Sequence, residues 1–122
     1  MRRLLPLLAL AALAGCGGSE SSKQAIQIDS PESGAAVRSP IRVSGTANTF
    51  EATFTLELRT GGRLLQRKTV TATSGSGVRG SFETAFRYSI PEETRGELRA
   101  YELSAKDGRP TNRVSVTISL LP

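Results

Sequence analysis

From Ala25 onward, apolar and polar residues alternate with a period of two, and no stretch keeps the roughly 3.6-residue period of an amphipathic helix. Side chains at that spacing point to opposite faces of an extended chain, so these segments predict strands with one face buried. Ile26 and Ile28 alternate with Gln27 and Asp29, and Ser30-Pro31-Glu32-Ser33-Gly34 ends the run. Ile41, Val43 and Gly45 face one way in a second strand, with Arg42, Ser44 and Thr46 opposite. Phe54, Leu56 and Leu58 form the inner row of a third, leaving Thr53, Thr55, Glu57 and Arg59 outside. Gly61-Gly62 then supplies the positive-φ turn of a hairpin.

A fourth strand runs from Leu64 to Ala72, where the apolar phase changes between Leu65 and Val70 and predicts a bulge or an edge position. Phe82, Thr84, Phe86 and Tyr88 mark a fifth strand, and Leu98 to Leu103 a sixth whose inner face is ambiguous. In Lys106-Asp107-Gly108-Arg109-Pro110 the Asp can accept a hydrogen bond from its own backbone and the Gly can take the left-handed position. Val114, Val116, Ile118 and Leu120 alternate with Ser115, Thr117 and Ser119 in a seventh strand. Seven such strands with no crossover helix exclude a parallel α/β sheet and predict an all-β fold, an antiparallel seven-stranded immunoglobulin-like β-sandwich over residues 25–122. With one Cys and no Trp, its stability must come from packing of Phe54, Leu56, Phe82, Phe86, Val116 and Ile118.

The first residues have a different character. Met1-Arg2-Arg3 is a short cationic segment, and Leu4 to Leu13 is an apolar run too short to span a bilayer, which takes roughly 20 residues. Leu13-Ala14-Gly15-Cys16 resembles the lipobox of a bacterial lipoprotein signal peptide, which predicts cleavage between Gly15 and Cys16 and a diacylglyceryl group on the Cys16 thiol. Residues 1–15 are then a signal peptide, and residues 16–24 the lipidated Cys and a Gly/Ser-rich linker. This expectation places the mature protein outside the cytoplasm, lipid-anchored at the cell membrane or the outer membrane. Removing Arg2 and Arg3 lowers the formal charge from +5 to +3, so the basic balance reads as a solvated surface and not as a nucleic-acid footprint.

The run Ile41-Arg42-Val43-Ser44-Gly45-Thr46-Ala47, followed by Phe50-Glu51-Ala52-Thr53-Phe54, resembles the immunoglobulin-like domain of bacterial spore germination proteins. That family is also described as the second GerMN-associated domain. Ile28-Asp29-Ser30-Pro31, Gly61-Gly62-Arg63-Leu64-Leu65 and Tyr101-Glu102-Leu103-Ser104-Ala105-Lys106-Asp107-Gly108 extend the likeness in the same order along the chain. The resemblance implies an exported or lipid-anchored module of the cell envelope, germination-related or otherwise envelope-related.

The residue types exclude most reaction chemistry. With no His and one Cys there is no imidazole base and no metal-ligand pattern, and Asp29 and Asp107 read as turn formers and not as a calcium site. No cofactor and no small-molecule substrate is expected. Carboxylates remain: Glu57 and Glu83 read as solvent-facing strand residues and Glu97 as a turn residue, whereas Glu51 and Glu102 are the pair on which a cell-wall glycan hydrolase would depend. Both read more readily as acceptors for backbone donors or as partners of an Arg at the sandwich edge. Phe50, Tyr88 and Tyr101 are the aromatics available for an exposed binding surface. The resulting expectation is a non-catalytic binding or scaffolding module held to the membrane by its lipid, with an envelope protein or a cell-wall polysaccharide as partner.

Overall fold

The computed structural model describes residues 24–122; the expected signal peptide, Cys16 and the expected linker as far as Lys23 lie outside them. Eight strands follow one another: β1 (Ile26–Ser30), β2 (Ala36–Val37), β3 (Ile41–Ala47), β4 (Thr53–Thr60), β5 (Arg63–Thr71), β6 (Gly80–Phe86), β7 (Thr94–Leu103) and β8 (Pro110–Leu120). They form a three-stranded sheet in the order β1-β3-β6 and a five-stranded sheet in the order β2-β8-β7-β4-β5. Seven of these are the segments expected from alternation. The eighth, β2, is a two-residue strand that runs parallel to β8, pairing Ala36 with Ser119 and Val37 with Leu120. Two residues are too few to show a period, so it leaves no mark in the sequence.

The inner rows meet as the alternation requires. Ile41, Val43 and Ala47 of β3 pair across the small sheet with Phe86, Thr84 and Gly80 of β6. Leu56, Leu58, Leu98, Phe86 and Leu120 are wholly buried between the sheets. Phe54 of the large sheet meets Phe82 of the small one edge to face, with ring centroids 4.9 Å apart. Val116, expected in the core, is only partly buried against it. Lys68 of β5 closes one side of the sandwich: its Nζ donates to Thr84 Oγ1 and the Ala85 carbonyl of β6 and lies 4.9 Å from the Phe86 ring centre.

The phase change in β5 is both a bulge and an edge. Leu58 pairs with Gln66 and Arg59 with Leu64, leaving Leu65 as the extra residue on the outermost strand of the large sheet. The ambiguity in β7 has a similar origin: Ala100 pairs with Val114 but Glu102 with Thr111, so β8 carries an extra residue, and Asn112 has a φ of 54°. Ala100 is buried inward while its neighbour Tyr101 is buried on the opposite face. In the β7–β8 turn, Asp107 Oδ1 accepts from the Arg109 N–H and Gly108 sits at a φ of 75°, the arrangement expected there.

The strand ends define two poles. At one, called here the near pole, lie the start of β1, the β3–β4 connection, the β5–β6 connection and the β7–β8 turn. At the far pole lie the Gly61-Gly62 hairpin, the segment after β6 and the C-terminal residues.

Candidate functional site

The three aromatic candidates do not come together. Tyr88 lies just beyond the end of β6 at the far pole, half-buried, and its hydroxyl is 2.9 Å from the Val37 carbonyl and 2.7 Å from that of Leu121. It ties the C-terminal residues to β2, so the assignment of Tyr88 to the fifth strand and to an exposed surface is corrected. Tyr88→Phe is expected to cost about 1 kcal/mol and to speed amide exchange at Leu121, whose N–H donates to the Val37 carbonyl 2.8 Å away. Tyr101 is 9% exposed on the outer face of the large sheet. Of the three, Phe50 alone is open to solvent, at 63%.

That outer face carries an array the alternation does not reveal. Glu57, in the middle of β4, is 3% exposed, and its carboxylate accepts from Tyr101 Oη at 2.6 Å, Arg59 Nη1 at 2.7 Å and Arg67 Nε at 3.2 Å. The expectation of a solvent-facing Glu57 is therefore corrected; Thr55, in the same outer row, is covered as well, at 9% exposed. β4 lies between β5 and β7 in the sheet, and long side chains from both neighbours cover its outer row. One strand further on, Arg99 donates through Nε and Nη2 to Glu97, which also accepts from the Ser115 hydroxyl at 2.8 Å. Glu97 is thus a strand residue in β7 and not a turn residue.

Electrostatics lock these protons. Burial pushes the Glu57 carboxyl up, but the hydrogen bonds from Tyr101, Arg59 and Arg67 outweigh it and hold the group below its ordinary range. Burial, reinforced by the adjacent Glu57 carboxylate, pushes the Tyr101 phenol up. The Arg99 guanidinium holds Glu97 down against its own burial. The array is a set of fixed charges, and it borders a depression of about 220 Å³ lined by Arg59, Gly61, Gly62, Arg95 and Glu97. Among the described residues no group of three or more acidic, Cys or His side chains is arranged to hold a metal ion.

Glu51 and Glu102 sit at the near pole in different settings. Glu102 Oε1 accepts from the Phe50 N–H at 3.2 Å and Oε2 from the Asn112 amide at 2.5 Å, so this carboxylate holds the β3–β4 connection to the β7–β8 end. Glu51 is exposed, with a φ of 56°, and its N–H donates to Ser76 Oγ at 2.9 Å. Ala52 also has a positive φ, of 64°, and Thr49 O accepts from both Ala52 N and Ser76 N. Two consecutive non-glycine residues in the left-handed region are held by these contacts and by the close approach of Gly75, where a Cβ would lie 2.4 Å from Thr49 O.

Two sheets packed face to face, antiparallel but for the short β2 edge, with polar outer faces and connections gathered at two poles, define an immunoglobulin-like β-sandwich module. The model of the family described as the immunoglobulin-like domain of bacterial spore germination matches residues 25–109, and the chain belongs to that family. No curated protein matches it. Among solved structures it is similar to WR4, a C. elegans MSP family member, at 10% identity and a TM-score of 0.38, over 81% of this chain and 98% of that one. The fold class rests on the strand order above and not on that likeness.

Proposed function

We propose that the protein is an exported lipoprotein, anchored through Cys16, whose immunoglobulin-like domain binds or scaffolds a protein partner in the cell envelope and catalyses no reaction. One observation carries the reading. Most of the polar and aromatic side chains that a glycosidase or a sugar-stacking platform would need are engaged within the domain, Glu57 and Glu102 by internal donors, Tyr101 by Glu57 and Tyr88 beside two backbone carbonyls, which leaves Glu51 without its carboxylate partner Glu102 and Phe50 without a second exposed ring. What the outer face of the large sheet offers is a rigid pattern of charge, with Arg67 57% exposed in its side chain, and such patterns recognise protein surfaces by complementarity. The family's link to spore germination adds a germination-related envelope setting to this reading.

The test is co-purification of the full chain from solubilised membranes beside retention on purified peptidoglycan. Enrichment of one envelope protein, lost in Arg67→Glu, supports the reading. Retention on peptidoglycan with no protein partner makes the domain a polysaccharide binder, and peptidoglycan hydrolysis that disappears in Glu51→Gln or Glu102→Gln replaces the reading with the hydrolase. For the anchor, Cys16→Ser is expected to abolish incorporation of a fatty-acid label and to move the protein from the membrane to the soluble exported fraction. A labelled, membrane-bound Cys16→Ser protein overturns the anchor.

A further inference from the structure

Among the described residues four large hydrophobic side chains are exposed, and three of them lie at one pole: Phe50 at 63%, Val78 at 63% and Leu103 at 58%. Phe50 belongs to the β3–β4 connection, Val78 to the β5–β6 connection, and Leu103 ends β7. Phe50 and Leu103 line a shared hollow of about 160 Å³ with Thr53, Thr69 and Glu102. The loop carrying Val78 is fastened to the same connection, since Ser76 N donates to Thr49 O and Gly77 N to Asn48 Oδ1. The described chain also starts at this pole: Asn48 N donates to Ala25 O, and Arg79 Nη2 donates to Gln24 O at 2.6 Å.

We infer that this near pole is a membrane-contact surface, with Phe50, Leu103 and Val78 seated in the interfacial layer of the bilayer that holds the lipid on Cys16. The inference rests on the anchor proposed above. Eight residues, Gly17 to Gln24, separate Cys16 from the domain, and a Gly/Ser-rich segment of that length has an r.m.s. reach of about 15 Å. β8 alone, with 11 residues, is about 35 Å long, so the far pole is out of reach of the headgroups whenever the near pole faces them. The occupant is lipid for three reasons. The linker keeps this pole beside a bilayer, exposed apolar clusters mark interaction surfaces, and the local architecture spends conformational strain at Glu51 and Ala52 to hold the Phe50 turn in place.

The charge pattern says how the contact is made. The segments of this pole and its border carry Arg79, Lys106, Arg109 and Arg113 against Glu51, Glu102 and Asp107, a near balance of four cationic and three anionic side chains. Attraction to anionic lipid is therefore not the driving term. The contact is apolar, equally strong on zwitterionic membranes and insensitive to salt.

The chain contains no Trp, so a single introduced Trp reports its own surroundings. The experiment uses the full lipidated chain in phosphatidylcholine vesicles with and without brominated acyl chains. Phe50→Trp is expected to lose roughly half its emission to the brominated lipid and to shift to the blue, as for a ring about 5–10 Å into the interface. Leu103→Trp, a second reporter should Phe50→Trp fail to fold, is expected to behave alike, and Arg63→Trp at the far pole to be unaffected. Unquenched, unshifted near-pole reporters in a protein that floats with the vesicles overturn the membrane contact and leave the anchor standing. A protein that does not float overturns both, because nothing then brings this pole to a bilayer.

Discussion

Gly45→Ala is expected to lower the stability of the domain by on the order of 4 kcal/mol, a large part of what a chain of this size has. A Cβ at residue 45 would lie 1.9 Å from the Gln27 carbonyl oxygen, 2.9 Å from its carbonyl carbon and 3.1 Å from Asp29 N. All three are backbone atoms of β1, so no rotamer change relieves the overlap. β1 must move away from β3, against the pairing of Ile26 with Ala47 and Ile28 with Gly45, and Ile26 is wholly buried in the core. Denaturant unfolding checks the size of the effect. Gly61→Ala is the control: its φ is 51° and nothing lies within 4 Å of a Cβ, so only the backbone penalty of about 1 kcal/mol applies. Equal losses at the two positions would show that close strand approach is not what residue 45 supplies.

Glu57→Ala is expected to cost about 3 kcal/mol, the lower end for breaking a buried ion pair. Arg67, with 57% of its side chain exposed, regains water at little cost; Arg59, at 19%, and the buried Tyr101 hydroxyl do not. The effect carries a pH signature. The folded state holds the Glu57 carboxyl below its ordinary value of 4.5, so its contribution is fully present above that value and is lost as pH falls through the lower folded value. The stability difference between the wild type and Glu57→Gln is therefore expected to be constant from neutral pH to about 5 and to shrink below about 4.5. A difference that stays constant down to pH 3 would show that the charge on Glu57 is not what stabilises the array. Tyr101→Phe separates the two kinds of donor, removing the phenol and leaving both guanidinium groups in place.

The same pair of residues shows where reading from the chain stops. Alternation assigns Glu57 and Arg59 to the outer row of β4, and they are there. The Glu57 carboxylate is covered by Arg67, ten positions later in sequence, and Tyr101, forty-four positions later. Nothing local to Thr53–Thr60 says that β4 is flanked on both sides and that its outer row is covered as well as its inner one. Tyr88 is similar: it continues the aromatic spacing of Phe82 and Phe86, but β6 ends at Phe86 and the ring turns to the C-terminal carbonyls. For Glu102 the residue type leaves a backbone donor and an Arg equally open as partners; its actual donors, the Phe50 N–H and the Asn112 amide, required two connections to meet at the near pole.

By itself the sequence determined the β class, the positions of seven strands, the inner rows at Ile41/Val43, Phe54/Leu56/Leu58 and Ile118/Leu120, the bulge near Leu65 and the Asp107-Gly108 turn. It also carried the family, in the order of motifs from Ile28 to Gly108. These are local properties: a period of two, a turn residue or a phase change is set by neighbours within a few positions of one another. Only the tertiary structure decided which outward residues are buried, that Ala36–Val37 pairs with β8, and that Phe50, Val78 and Leu103 share the pole at which the described residues begin. Those outcomes depend on which strands lie side by side and in what register, and that follows from packing two sheets on one core, a condition that spans the whole chain.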